Sequence, residues 1–76
     1  MSPKLPRITA VACERAVRRD GWYQVRQVGS HRTFQHPTKS GTIVIPMHAR
    51  RDIKPGTLKT IIDAMALTVE EFRGLL

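Results

Sequence analysis

Trp22-Tyr23-Gln24-Val25-Arg26-Gln27-Val28-Gly29-Ser30-His31-Arg32-Thr33-Phe34-Gln35-His36 is the stretch that decides the fold. Two strand-like runs flank Gly29-Ser30, and small turn-forming residues between such runs read as a short hairpin. Side chains alternate faces along a strand, so Thr33 and Gln35 lie opposite the apolar anchor Phe34. With the strand beginning at His31, its imidazole shares their polar face. Imidazole is the one side chain whose unperturbed charge change falls near neutral pH. A histidine at the rim of a small sheet is therefore a candidate for moving protons.

Working outward, strands are expected over about residues 23–28, 32–36 and 42–46. The second connection, Pro37-Thr38-Lys39-Ser40-Gly41, has ordinary turn chemistry. Loops this short make consecutive strands antiparallel neighbours. Upstream, Thr9 suits the N-cap of a helix over about residues 10–19, with Ala10, Cys13, Ala16 and Val17 as a narrow apolar stripe. Cys13 in that stripe reads as a small core residue, and Asp20-Gly21 ends the helix. Downstream, Pro55 fits a first helical position, and Leu58, Ile61, Ile62 and Met65 recur on one helical face. Thr68-Val69-Glu70-Glu71 is a capping box opening a third helix, with Leu67 and Phe72 as its hydrophobic staple. The order α-β-β-β-α-α predicts a two-layer α+β domain: a three-stranded antiparallel sheet, helices on one face, the other face open.

At 76 residues the chain has room for one domain and one modest core, and a 41% hydrophobic fraction suffices to form it. No apolar run approaches the roughly 18 residues of a membrane span, and the N-terminal residues lack a signal peptide's apolar segment. The single cysteine cannot staple the fold and fits a reducing cytoplasm. The net charge is +7. Asp63, Glu70 and Glu71 against Arg73 leave residues 63–76 acidic, so the positive charge is concentrated in the first 62 residues. Such a body attracts polyanions, nucleic acid foremost. One cysteine and three scattered histidines do not reproduce zinc-ligand spacing, and no phosphate-cradling glycine loop is present.

A run of short motifs carries a family resemblance. These are Leu5-Pro6-Arg7, Gly21-Trp22, Val25-Arg26-Gln27 and Gly29-Ser30-His31, then Phe34 with His36-Pro37, and Val44-Ile45-Pro46 with His48. Leu58 follows after Lys54-Pro55-Gly56-Thr57, and Leu67-Thr68-Val69-Glu70-Glu71-Phe72 closes the series. In this order they resemble a HicA-type toxin, the small mRNA interferase of a bacterial toxin–antitoxin pair, across nearly the whole chain. The resemblance implies a fold similar to a double-stranded-RNA-binding domain, ribonuclease cleavage of mRNA, and a HicB-type antitoxin as partner. His31, within Gly-Ser-His, corresponds to the family's catalytic histidine. Two departures stand out. Ala66 takes a place before the last helix where glycine is common, which is expected to reshape that turn. The first helix carries the small Ala12 and Cys13 where a longer side chain is expected.

RNA brings its own nucleophile, the 2′-hydroxyl. A side chain that removes its proton, and one that protonates the departing 5′-oxygen, suffice to cut the strand without metal or cofactor; such catalysis contributes about 10²–10⁴-fold. His31 is the candidate for one of these roles. His36, His48, Tyr23 and Lys39 leave the second open, although His36 and His48 also read as structural or RNA-contacting residues. Arg26 and Arg32 flank the hairpin and are nearest in sequence to a phosphate at His31, although alternation turns Arg32 away from Thr33. Ser30 and Lys39 complete that set. Arg50, Arg51, Lys54 and Lys59, around the helix start Pro55-Gly56-Thr57, form a second phosphate-holding patch. Two other readings compete: a module of the same fold that binds RNA without cutting it, and a basic protein-interaction unit that docks an acidic partner.

Overall fold

In the computed structural model, which describes residues 4–48 and 51–76, the chain runs α1 (Ala10–Arg19), β1 (Tyr23–Val28), β2 (His31–Gln35), β3 (Ile43–Pro46), α2 (Pro55–Ala64) and α3 (Val69–Arg73). The three strands form one antiparallel sheet in the order β1-β2-β3. The expected α+β arrangement is thus the observed one. Strand ends differ slightly from expectation: β2 starts at His31 and stops at Gln35, and β3 starts at Ile43. His36 leaves the ladder because its ring Nδ1 accepts the backbone N–H groups of Thr38 and Lys39, both at 3.1 Å, which folds the chain back.

Register sorts the sheet into two faces. Phe34 pairs with Ile43 and Arg32 with Ile45, while His31 pairs with Pro46 and Thr33 with Val44. Phe34, Ile43 and Ile45 are buried in one core with Cys13, Ala16 and Val17 of α1, Leu58, Ile61 and Ile62 of α2, and Phe72 of α3. Small side chains along α1 let that helix lie close to the strands. The opposite face is uncovered: Val28 and Val44 are 57% and 45% exposed. A β-bulge between Gln24 and Arg26 resets the alternation of β1. Gln24 pairs with Phe34, yet Arg26 pairs with Thr33, so the bulge delivers Arg26 to the open face that His31 shares.

Local signals account for the helix ends. Thr9 caps α1 by accepting the N–H of Ala12 at 3.2 Å, and Thr68 with Glu71 forms the full capping box of α3. Both longer helices stop in the same way. Gly21 N–H bonds Arg18 and Trp22 N–H bonds Val17; Ala66 N–H bonds Asp63 and Leu67 N–H bonds Ile62. These are paired Schellman closures, which require a left-handed residue. Gly21 supplies it at φ 102° and Ala66 at φ 57°. The expectation of a reshaped turn at Ala66 is therefore corrected: the turn keeps its geometry, and the alanine adopts the strained conformation.

Gly21 has a second constraint, since a Cβ there would lie 2.8 Å from His36 Nε2. That nitrogen donates to the Asp20 carbonyl at 2.7 Å, and the ring packs edge-on against Trp22 with centroids 5.1 Å apart. Gly21-Trp22 and His36-Pro37, distant in sequence, are two halves of one structural joint.

Candidate functional site

His31 opens β2 directly after the hairpin, where Gly29 takes φ 58°. Its neighbours across the ladders are Val28 on β1 and Pro46 on β3. Beyond Pro46 the chain does not leave the site. Met47 N–H bonds the Ser30 carbonyl at 2.6 Å, tying the exit of β3 to the hairpin, and His48 N–H bonds Pro46 at 3.1 Å. Arg51 N–H then bonds the His48 carbonyl, and Ile53, buried, bonds Ile8 through its N–H. Thr9 and Asp52 form an isolated bridge that holds this segment against the start of α1. Lys54 is the N-cap of α2, with no side-chain cap, and Pro55 follows.

These elements enclose a cleft of about 460 Å³ lined by His31, Val44, Pro46, His48, Arg51, Asp52, Ile53, Lys54 and Thr57. Its size lies within the roughly 300–1,000 Å³ of ordinary ligand pockets. Arg51 and Lys54 bring positive charge, Asp52 a single negative one, and the N-terminus of α2 adds the positive end of its dipole with unshared N–H groups. Among the described residues, its walls thus combine two imidazoles, two cations, one carboxylate and the N-terminus of a helix. The chemistry they can perform is to hold a phosphate and exchange protons beside it.

Of the residues singled out from sequence, His31, Arg51 and Lys54 come together here. Ser30 lies beside them, half-buried, with its carbonyl engaged by Met47. Arg26 is exposed on the same sheet face, outside the cleft. Arg50 falls outside the described residues.

Three cations are engaged elsewhere. Arg32 points to the helix-covered face, where its Nη1 bonds Glu14 at 2.5 Å and its Nε is buried without a partner among the described residues. Lys39 donates to Asp20 at 2.6 Å and to the Met65 carbonyl at 2.8 Å, clasping α1 to α2. Lys59, on the exposed side of α2, pairs with Asp63 at 2.6 Å.

Two neighbouring groups of α1 titrate away from their ordinary values. Burial, reinforced by neighbouring Glu14, pushes the Cys13 thiol up to about 12, so it remains a protonated core residue. Burial alone would raise the Glu14 carboxyl as well, but hydrogen bonds from Arg18 and Arg32 outweigh it and hold the group below the usual carboxylate value.

From sequence His48 is one of four open candidates for the second acid–base role, and no motif marks Asp52. The available signal for His48 was its spacing: it stands two residues past Pro46, the partner of His31. Among the described residues no three His, Cys, Asp or Glu side chains gather as metal ligands, and no helix is long and apolar enough to cross a membrane.

The fold and site thus define a small α+β protein with a basic cleft beside β3, and the family is assigned from the sequence. The family model described as "HicA toxin of bacterial toxin-antitoxin" matches residues 12–67, most of the chain. The chain belongs to the HicA toxin family, the toxin side of a toxin–antitoxin system. No curated protein is significantly similar to it.

Proposed function

We propose that the protein is a cytoplasmic endoribonuclease that cuts mRNA by metal-independent acid–base catalysis, with His31 exchanging a proton at the ribose 2′-hydroxyl or the departing 5′-oxygen. The observation that carries this reading is an exposed imidazole lining the same cleft as Arg51, Lys54 and the start of α2. Phosphate held by those groups would lie beside His31, and cations plus N–H donors would stabilise the charge that builds on the phosphoryl oxygens. Arg26, carried to the same face by the bulge, extends the basic track along the open sheet. Family membership adds a cognate antitoxin; we take it to be a HicB-type protein that neutralises the toxin by covering this face.

Incubating the purified protein with single-stranded mRNA in excess EDTA tests the reading. Cleavage products ending in a 2′,3′-cyclic phosphate or its hydrolysis product are expected. RNA that is bound but left intact would instead favour the non-catalytic binding module.

A further inference from the structure

Metal-free cleavage at the 2′-hydroxyl needs two proton transfers, and the proposed reaction gives His31 only one of them. Four side chains were open for the other, and the fold separates them. His36 has both ring nitrogens committed, to Asp20 on one side and to Thr38 and Lys39 on the other. Lys39 has its ammonium bound by Asp20 and Met65. Tyr23 pairs with Gln35, at the opposite end of the ladder from the Val28–His31 pair, roughly 13 Å along β2. His48 lines the cleft together with His31, is exposed, and has no hydrogen-bond partner for its ring among the described residues.

From this geometry we infer that His48 is the second acid–base group, acting with His31 across the cleft. The inference rests on the ribonuclease reading above and deepens it. One imidazole, neutral, accepts the 2′-hydroxyl proton as the 2′-oxygen bonds to phosphorus. The other, protonated, gives its proton to the 5′-oxygen as the phosphorus–5′-oxygen bond breaks. The products are a 2′,3′-cyclic phosphate and a 5′-hydroxyl end, and the two histidines have exchanged protonation states, which water restores.

The backbone holds His48 in register with His31 through the Pro46 pairing and the hydrogen bonds at Met47, His48 and Arg51. The other charged groups facing the cleft are Arg51, Lys54 and Asp52. Arg51 and Lys54 carry the guanidinium and ammonium groups suited to holding phosphate. Among the described residues, Asp52 is the one carboxylate that lines the cleft and could compete as proton acceptor.

The test uses wild-type protein and the His31→Ala, His48→Ala, His48→Gln and Asp52→Asn variants. Their substrates are RNA and the same RNA carrying sulfur in place of the bridging 5′-oxygen at the mapped cut. A thiolate leaves without a proton, so that substrate bypasses the general acid. The expected result is a loss of about 10²–10⁴-fold in RNA cleavage for both His48 variants, with RNA affinity retained. Either the His48 or the His31 variant, and only that one, regains most of its rate on the sulfur-bearing RNA.

Wild-type-like cleavage by His48→Ala and His48→Gln overturns the inference, as does a loss fully explained by weaker binding. It is equally overturned if Asp52→Asn abolishes cutting and the His48 variants do not. A wild-type protein that cuts neither substrate would refute the ribonuclease reading itself, which keeps the two failures distinct.

Discussion

His31 and Pro46 stand directly opposite each other across the β2–β3 ladder, and this one register position assembles the cleft. It brings the chain leaving β3, with His48, alongside the hairpin rather than away from it. The segment then runs through the buried Ile53 into α2, so the helix start arrives at the imidazole. The basic loop is useful because both its ends are anchored.

Phosphate binding should divide the basic residues by location. Lys54→Ala and Arg51→Ala, both in the cleft, should each weaken RNA binding and flatten the dependence of affinity on salt by about one phosphate contact. Lys59→Ala, which loses only an exposed pair with Asp63, should change the salt dependence far less. Fluorescence titrations at several salt concentrations check this ordering.

Gly21→Ala should destabilise the fold by about 2 kcal/mol or more. The left-handed backbone alone costs a non-glycine residue about 1–2 kcal/mol, and the new methyl would press on the His36 ring that ties Asp20 to the β2–β3 connection. Thermal or denaturant unfolding measures it.

Ala66→Gly should do the reverse at the matching position of α2. Relief of the positive φ outweighs the added freedom of the unfolded chain, for a net gain of about 0.5–1 kcal/mol. In a chain of this length that corresponds to a rise of about 2–8 °C in Tm. Cleavage activity should not change, because Ala66 does not line the cleft.

Glu14 makes stability depend on acid in a defined direction. Its folded carboxyl is held below the ordinary value of 4.5, against the effect of its own burial, by hydrogen bonds from Arg18 and Arg32. The stabilisation it contributes is therefore fully present above about pH 4.5 and fades as pH falls through the lower folded value. Glu14→Gln should be less stable than wild type at neutral pH, since it leaves the half-buried Arg32 without its counter-charge. The gap between the two proteins should narrow on acidification. Unfolding free energies across that range provide the measurement.

The sequence reported the fold more fully than the site, for reasons visible residue by residue. Caps, turns and hydrophobic periodicity are local signals. Thr9, Pro55, Thr68 and the Leu58–Met65 face therefore announced the helices, and alternation around Phe34 separated the sheet faces. The same alternation warned that Arg32 faces away from Thr33, and the structure places it with Glu14. The bulge at Gln24/Arg26 had no glycine or proline to mark it, yet it determines that Arg26 joins His31's face. Lys39 reads as a loop cation until Asp20 and Met65 are brought beside it by tertiary packing. His48 lies in a segment without periodicity, and only the pairing of Pro46 with His31 reveals its position.

The central claim is proton transfer by His31, and the most direct measurement compares wild-type and His31→Ala protein for RNA cleavage and RNA affinity in the same EDTA-containing buffer. The account predicts that the variant folds, binds RNA nearly as well, and loses about 10²–10⁴-fold or more in cutting. A variant that cuts as fast as wild type would contradict it.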